Sequence, residues 1–245
     1  MTVETFPRIE FKTTVTVTAA DGEHQIKVWI VDGEFIRTYV DKPERIFDAE
    51  FTNFGQHYMF DYIPEFEFWI DKESGDDESK YYIEHLKVEW AAMRDGKSYA
   101  EAIVEADNVE RALRRQDADL NRVIDPVTRR VDPKKFRVKL IKALDNGNEV
   151  WAVDGDLVRT FLHIDFVQGG HGLVYEFVPF GEIWIDNDIS WHERGFIILH
   201  ELNEFNLMCQ GWNYSKAHNN SLIIEDHCRK NPDELHDALI SVGWN

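Results

Sequence analysis

The chain has 245 residues, 43% apolar and 13% aromatic against 30% charged, enough to bury one large core or two small ones. Asp and Glu total 46 against 27 Lys plus Arg, a net charge of −19 with His neutral, which argues against general affinity for nucleic acid or anionic membrane. No stretch approaches the roughly 20 apolar residues of a membrane span, MTVETFPRIEF lacks the basic and apolar regions of a secretion signal, and Cys209 and Cys228 are too few for a disulfide scaffold; the expectation is a soluble protein of a reducing, cytoplasmic compartment.

In chain order, FKTTVTVTA alternates and is β-branched, which predicts a first strand. Asp21-Gly22 marks a turn into a second, QIKVWIV, and Asp32-Gly33 turns again into EFIRTYV, which together read as a β-meander. Two further short strands are predicted around residues 58–63 and 66–70, with Pro64 between them. Residues 78–94 and 98–115 predict helices, separated by Gly96 as a left-handed cap and Ser98 as the next N-cap.

The chain then repeats itself. VWIVDGEFIRTY (Val28 to Tyr39) returns as VWAVDGDLVRTF (Val150 to Phe161) at an offset of 122, and IPEFEFWID (Ile63 to Asp71) returns as VPFGEIWID (Val178 to Asp186) at 115. Beyond this point the 115-residue offset holds without gaps, pairing Glu78 with Glu193, His85 with His200, Glu89 with Glu204, Gly96 with Gly211, Tyr99 with Tyr214, Glu110 with Glu225 and Arg114 with Arg229. The reading is two tandem units, residues 1–125 and 126–245, joined around DPVTRRVDPKK. Each is α+β, a small antiparallel sheet followed by a helix hairpin packed on one face. The second hairpin is expected at about 191–209 and 213–230, with a last short helix after Pro232. The first unit holds a net −13 and the second −6; this asymmetry reads as solvated surface or as a face for a basic partner.

The helix HERGFIILHELNEFNLMC places Glu193, His200 and Glu204 on one stripe. His200 and Glu204, four apart, have the spacing at which an HExxH helix presents two zinc ligands, a carboxylate standing for the second imidazole, and Glu201 takes the slot of the general base. On the next helix His218 and Glu225 share a face, so a hairpin would bring His200, Glu204 and His218 or Glu225 around one ion, Zn²⁺ most simply, with Mn²⁺ or Fe²⁺ as alternatives. The first unit has Leu86 for Glu201, Ile103 for His218 and Gln56 for His171. Chemistry is therefore expected in the second unit alone, unless the shared Glu and His residues serve packing in both. Tyr214 either packs, as Tyr99 would, or donates a hydrogen bond to a developing oxyanion. The glycines before His171 allow either close approach to a ligand or a turn. The four strand tryptophans, Trp29, Trp69, Trp151 and Trp184, are expected in the core or the sheet packing.

FVQGGHG (Phe166 to Gly172), VPFGEIWID (Val178 to Asp186), HELNEFNLM (His200 to Met208), Gly211, Tyr214, Ala217-His218 and Glu225 together resemble a family of poorly characterised bacterial and phage proteins, over about residues 150–230. That family is similar in layout to minimal zincin-like metallopeptidases, from which this chain departs at Glu204. The resemblance implies a metal site or its remnant at His200, Glu204, His218 and Glu225, with Glu201 in the base position. The expected function is a zinc-dependent, zincin-like hydrolase, a peptidase on this reading, active only in the second unit, with the strand ending at Asp186 aligning a peptide if it lies at the sheet edge. The alternative is a non-catalytic structural or interaction protein of a phage or bacterial assembly, cytoplasmic or a virion component, built from two such scaffolds and engaging protein partners rather than nucleic acid or membrane.

Overall fold

The computed structural model describes residues 12–38, 48, 50–74 and 77–245; MTVETFPRIEF and Tyr39 lie outside the described residues. The chain divides into two compact units, Met1–Ala118 and Asp119–Asn245. Each is a four-stranded sheet followed by helices. Residues 119–125 thus group with the second unit, because Val123 is fully buried in its core beside Phe136 and Trp184 and Ile124 bridges to Val131.

Unit 1 runs β1 (Lys12–Thr18), β2 (Gln25–Val31), α1 (Gly33–Thr38), β3 (Phe54–Gln56), β4 (Glu67–Asp71), α2 (Ser79–Arg94) and α3 (Tyr99–Asp117). Its sheet order is β1-β2-β4-β3. Unit 2 repeats the plan with β5 (Arg137–Ala143), β6 (Glu149–Val153), α4 (Gly155–Phe161), β7 (Gly169–His171), β8 (Glu182–Asp186), α5 (Trp191–Cys209) and α6 (Tyr214–Lys230), in the order β5-β6-β8-β7, and adds α7 (Leu235–Ser241).

First, the expected third strand EFIRTYV is helix α1 over its described residues, and the sheet is not a meander: β2 and β4 run parallel, with Trp29 beside Trp69, and β6 and β8 likewise, with Trp151 beside Trp184. Asp-Gly here opens a helix instead of a hairpin. The Asp32 side chain accepts from the Phe35 N–H (3.2 Å), and that of Asp154 from the Leu157 N–H (3.0 Å). The following glycine has no room for a side chain, since a Cβ on Gly33 or Gly155 would overlap the carboxylate of Asp71 or Asp186. That carboxylate also binds the buried arginine of the short helix, Arg37 to Asp71 at 2.6 Å and Arg159 to Asp186 at 2.7 Å. A chain turned over the sheet by a helix returns parallel, and a meander is then impossible.

Second, residues 58–63 form turns, and the strand lies earlier, at β3; the aromatic run supplies Phe60, Tyr62 and Ile63 to a cluster with Phe51 and Trp69. Third, β8 is an inner strand between β6 and β7, so the strand ending at Asp186 offers no edge to a peptide. The edge strand β7 is itself buried at all three positions.

All five residues of β4 and of β8 are buried, because both faces of each sheet are covered. In unit 1, Phe68 and Ile70 pack with Tyr82, Leu86 and Trp90 of α2, while Trp69 packs with Ile36 of α1. Helices therefore lie on both faces and not on one. In unit 2, α5 presents Ile198 and Leu202 to a core that includes Leu239 of α7. The matching positions of α2 are Ile83 and Lys87.

Candidate metal centre

Two caps and one glycine set the α5–α6 hairpin. The Ser190 hydroxyl accepts from the Glu193 N–H (3.2 Å) at the start of α5, Gly211 reverses the chain at φ +93°, and the Asn213 side chain accepts from the Lys216 N–H (3.0 Å) to open α6. The antiparallel helices then pair polar residues along their seam. Arg229 donates to both oxygens of Glu193 (2.7 and 3.1 Å) and to Glu225 (2.8 Å); all three are buried. Glu225 faces Nδ1 of His200 at 2.8 Å, Asn203 donates to Asn220 and Ser221, and Glu204 faces Nδ1 of His218 at 2.8 Å. From the sheet, β7 brings Nε2 of His171 to 3.1 Å from the other oxygen of Glu204.

Three donor atoms converge at the open end of this seam. Nε2 of His200 is 3.1 Å from Nδ1 of His218 and 3.7 Å from Oε2 of Glu204, and the third side of the triangle is the 2.8 Å His218–Glu204 contact. A tetrahedral ion with N and O bonds of about 2.0–2.1 Å holds its ligand atoms roughly 3.3 Å apart. The triangle has that size. A proton satisfies it poorly, because Nδ1 of His218 has one site and two partners, whereas a cation takes one lone pair from each corner. Glu225 approaches the opposite nitrogen of His200 and lies outside the triangle; it fixes Nδ1 as the protonated nitrogen and leaves Nε2 to face the cluster, as carboxylates behind metal-binding histidines do.

The charges are strongly coupled. Burial opposes a charge on His200, but its contacts with Glu204 and Glu225 outweigh this and hold its pKa up at about 10 in the ion-free protein. Burial raises Glu204 as well, and the facing imidazoles of His171, His200 and His218 reverse the effect and keep its carboxyl well below the usual range. Glu225 is likewise held down, against burial, by His200 and Arg229. Glu201 goes the other way: burial pushes its carboxyl up. Its oxygen falls within 4.8 Å of ligand atoms of both His171 and Glu204, and no hydrogen bond reaches it from the described residues. Tyr214, half-exposed on α6, stacks on His218 with ring centroids 5.2 Å apart, and burial plus the charges of Glu204 and Glu201 raise its hydroxyl.

The structure therefore brings His200, Glu204 and His218 together, places Glu201 beside Glu204 and His171, and sets Tyr214 at the rim and Glu225 behind. Gly169 and Gly170 are strand residues: a Cβ on the first would press on Ile197 and Glu201 of α5 at 3.0 and 3.2 Å, and one on the second would overlap the Tyr175 ring. The sequence left these glycines between close approach to a ligand and a turn; they lie in β7. The signal for Gly169 lay in the internal repeat, where Phe54 stands at the matching position and packs its ring on His85 (4.9 Å) and Tyr82 (4.7 Å).

Unit 1 keeps the supporting network without the triangle. Arg114 joins Glu78 (2.7 Å) to Glu110 (2.8 Å), Glu110 faces Nδ1 of His85 (2.9 Å), and Nε2 of His85 is 3.3 Å from Glu89. Ile103 replaces His218, Leu86 replaces Glu201, and Phe54 stands at the position of Gly169 with its ring against His85. Among the described residues, the candidate metal-binding groups all lie in unit 2. No helix among these residues is long and apolar enough to cross a membrane. The chain matches no protein-family model, no curated protein and no solved structure.

Proposed function

We propose that unit 2 is a metal-dependent hydrolase that holds one divalent cation, Zn²⁺ most simply, through Nε2 of His200, Nδ1 of His218 and Oε2 of Glu204, with zincin-like chemistry. The observation that carries this reading is the triangle of 2.8, 3.1 and 3.7 Å formed by these atoms. Two nitrogens and one carboxylate oxygen suit Zn²⁺, with Mn²⁺ or Fe²⁺ as alternatives, and three protein ligands leave a fourth position for water. An ion held there would supply a water of pKa lowered toward ~7 and a polarised substrate carbonyl. Glu201, desolvated and without a hydrogen-bond donor among the described residues, accepts the water proton and passes it to the leaving group. Tyr214, stacked on His218 at the rim, supports this reading as donor to the developing oxyanion.

The test is hydrolysis of an unstructured protein by the zinc-loaded chain. Glu201→Gln is expected to lower the rate by at least roughly 100-fold while the ion stays bound. Wild-type activity in that variant removes Glu201 from its role. A second reading, a non-catalytic interaction protein made of two such scaffolds, draws on unit 1, whose Glu78–Arg114–Glu110–His85 chain pairs its charges without a third ligand. On that reading the seam of unit 2 is likewise a packing device, and no ion is held.

A further inference from the structure

We propose that His171 is a positioning residue of this centre and not one of its ligands, its Nε2–H turning Glu204 so that a single carboxylate oxygen is presented to the cation. The inference rests on the metal reading above and assigns a role within it. His171 qualifies by distance as a ligand, since it forms a second possible group with Glu201 and Glu204, so the two roles must be told apart by its hydrogen bonds. Nδ1 of His171 accepts the backbone N–H of Leu173 at 3.3 Å, which leaves the ring proton on Nε2, 3.1 Å from Oε1 of Glu204. Ligation through Nε2 requires the proton to move to Nδ1, where it would meet the Leu173 N–H donor against donor. The ring is fully buried and packs at 79° to the Phe205 ring, 5.4 Å between centroids, which favours the pairing it has.

Unit 1 repeats the arrangement with a group that serves poorly as a ligand. Gln56 stands at the matching position of β3, its Oε1 accepts the Tyr58 N–H at 2.8 Å, and its Nε2 donates to Oε1 of Glu89 at 2.7 Å. Tyr58 matches Leu173, and Glu89 matches Glu204. The neutral imidazole and the primary amide thus present the same acceptor to the same backbone N–H and the same donor to the same carboxylate. What the two copies share is the N–H to the carboxylate. Oε2 of Glu204, left free by this bond, is the oxygen that faces His200 and His218.

The experiment titrates Co²⁺ into the purified full chain, following the visible absorption that reports coordination number, for wild type, His171→Gln and His171→Ala. His171→Gln is expected to keep the wild-type spectrum and an affinity within about threefold, whereas His171→Ala weakens binding roughly 10- to 100-fold, as loss of a ligand-orienting hydrogen bond does. Loss of Co²⁺ or a changed spectrum in His171→Gln makes His171 a ligand and overturns the proposal. Unchanged affinity in His171→Ala overturns it too. If far-ultraviolet circular dichroism shows His171→Ala to be unfolded, the spectrum and affinity of His171→Gln decide alone. Absence of Co²⁺ from the wild type defeats the metal reading itself, a result distinct from either variant outcome, and the role of His171 falls with it.

Discussion

Arg229 is the residue whose removal should be felt most along the α5–α6 seam. Its guanidinium is fully buried, bonds both oxygens of Glu193 and one of Glu225, and lies 4.7 Å from the Phe196 ring. Arg229→Ala takes the guanidinium from two interior carboxylates, of which Glu225 keeps its contact with His200. Breaking a buried ion pair by deleting one partner typically costs about 3–5 kcal/mol, and here two acids share the loss, so the upper half of that range is expected. For a unit of this size, an unfolding entropy of about 0.3 kcal/mol per kelvin converts 4 kcal/mol into a fall in Tm of roughly 10–15 °C. The assay is differential scanning calorimetry of the full chain, reading the transition of unit 2 against that of unit 1. The loss also depends on pH. Burial raises the carboxyl of Glu193 once its guanidinium is gone, while Glu225 keeps His200, so the variant regains stability as pH falls toward 5 and its deficit grows above that. A deficit below about 1 kcal/mol at neutral pH, or one that does not shrink on acidification, would refute the claim that this arginine neutralises the seam.

Three further outcomes follow from the comparison of the units. Ile103→His with Phe54→Gly restores the third donor and clears the ring packed on His85, and elemental analysis should find a second ion per chain; an unchanged count shows that the network of unit 1 is not a metal scaffold. Burial opposes the charge on His85, yet its hydrogen bonds to Glu110 and Glu89 hold the pKa up at about 9, against an ordinary 6.5. Because the folded value is the higher, this contribution is complete below 6.5 and lost as pH rises through about 9. The urea midpoint of unit 1 should fall over that window in wild type and stay flatter in His85→Gln. A metal ion must displace the proton that His200 holds in the ion-free state, so loading at pH 7 should release about one proton, measurable by calorimetry in buffers of different ionisation enthalpy.

The helices were legible because their apolar and polar periodicity is long and their ends are marked: Gly96 and Gly211 adopt φ of +91° and +93°, and Ser98 forms a capping box with Glu101. The short helix α1 was not. Asp-Gly signals a hairpin turn and a helix start alike, and the partner that decides, Asp71, is 38 residues away from Gly33. The aromatic run at residues 58–63 read as a strand because alternation does not distinguish a pleated edge from side chains folded into a turn over Trp69. In the site, the i, i+4 spacing of His200 and Glu204 and the facing His218 were readable from the hairpin. The place of Glu225 was not, because which nitrogen of His200 it meets depends on the rotation of α6. The Gln56–His171 match was already visible in the repeat; only the shared backbone N–H and carboxylate give it meaning.

The central claim is that three atoms of unit 2 hold a cation and that His218 is what unit 1 lacks. The most direct measurement is elemental analysis of the full chain after zinc loading and removal of free metal, for wild type and for His218→Ile, which copies the residue of unit 1. One zinc ion per chain in the wild type and none in the variant, with the ion-free melting temperatures of the two within a few degrees, is the predicted result. A wild type without zinc, or a variant that retains it, contradicts the account.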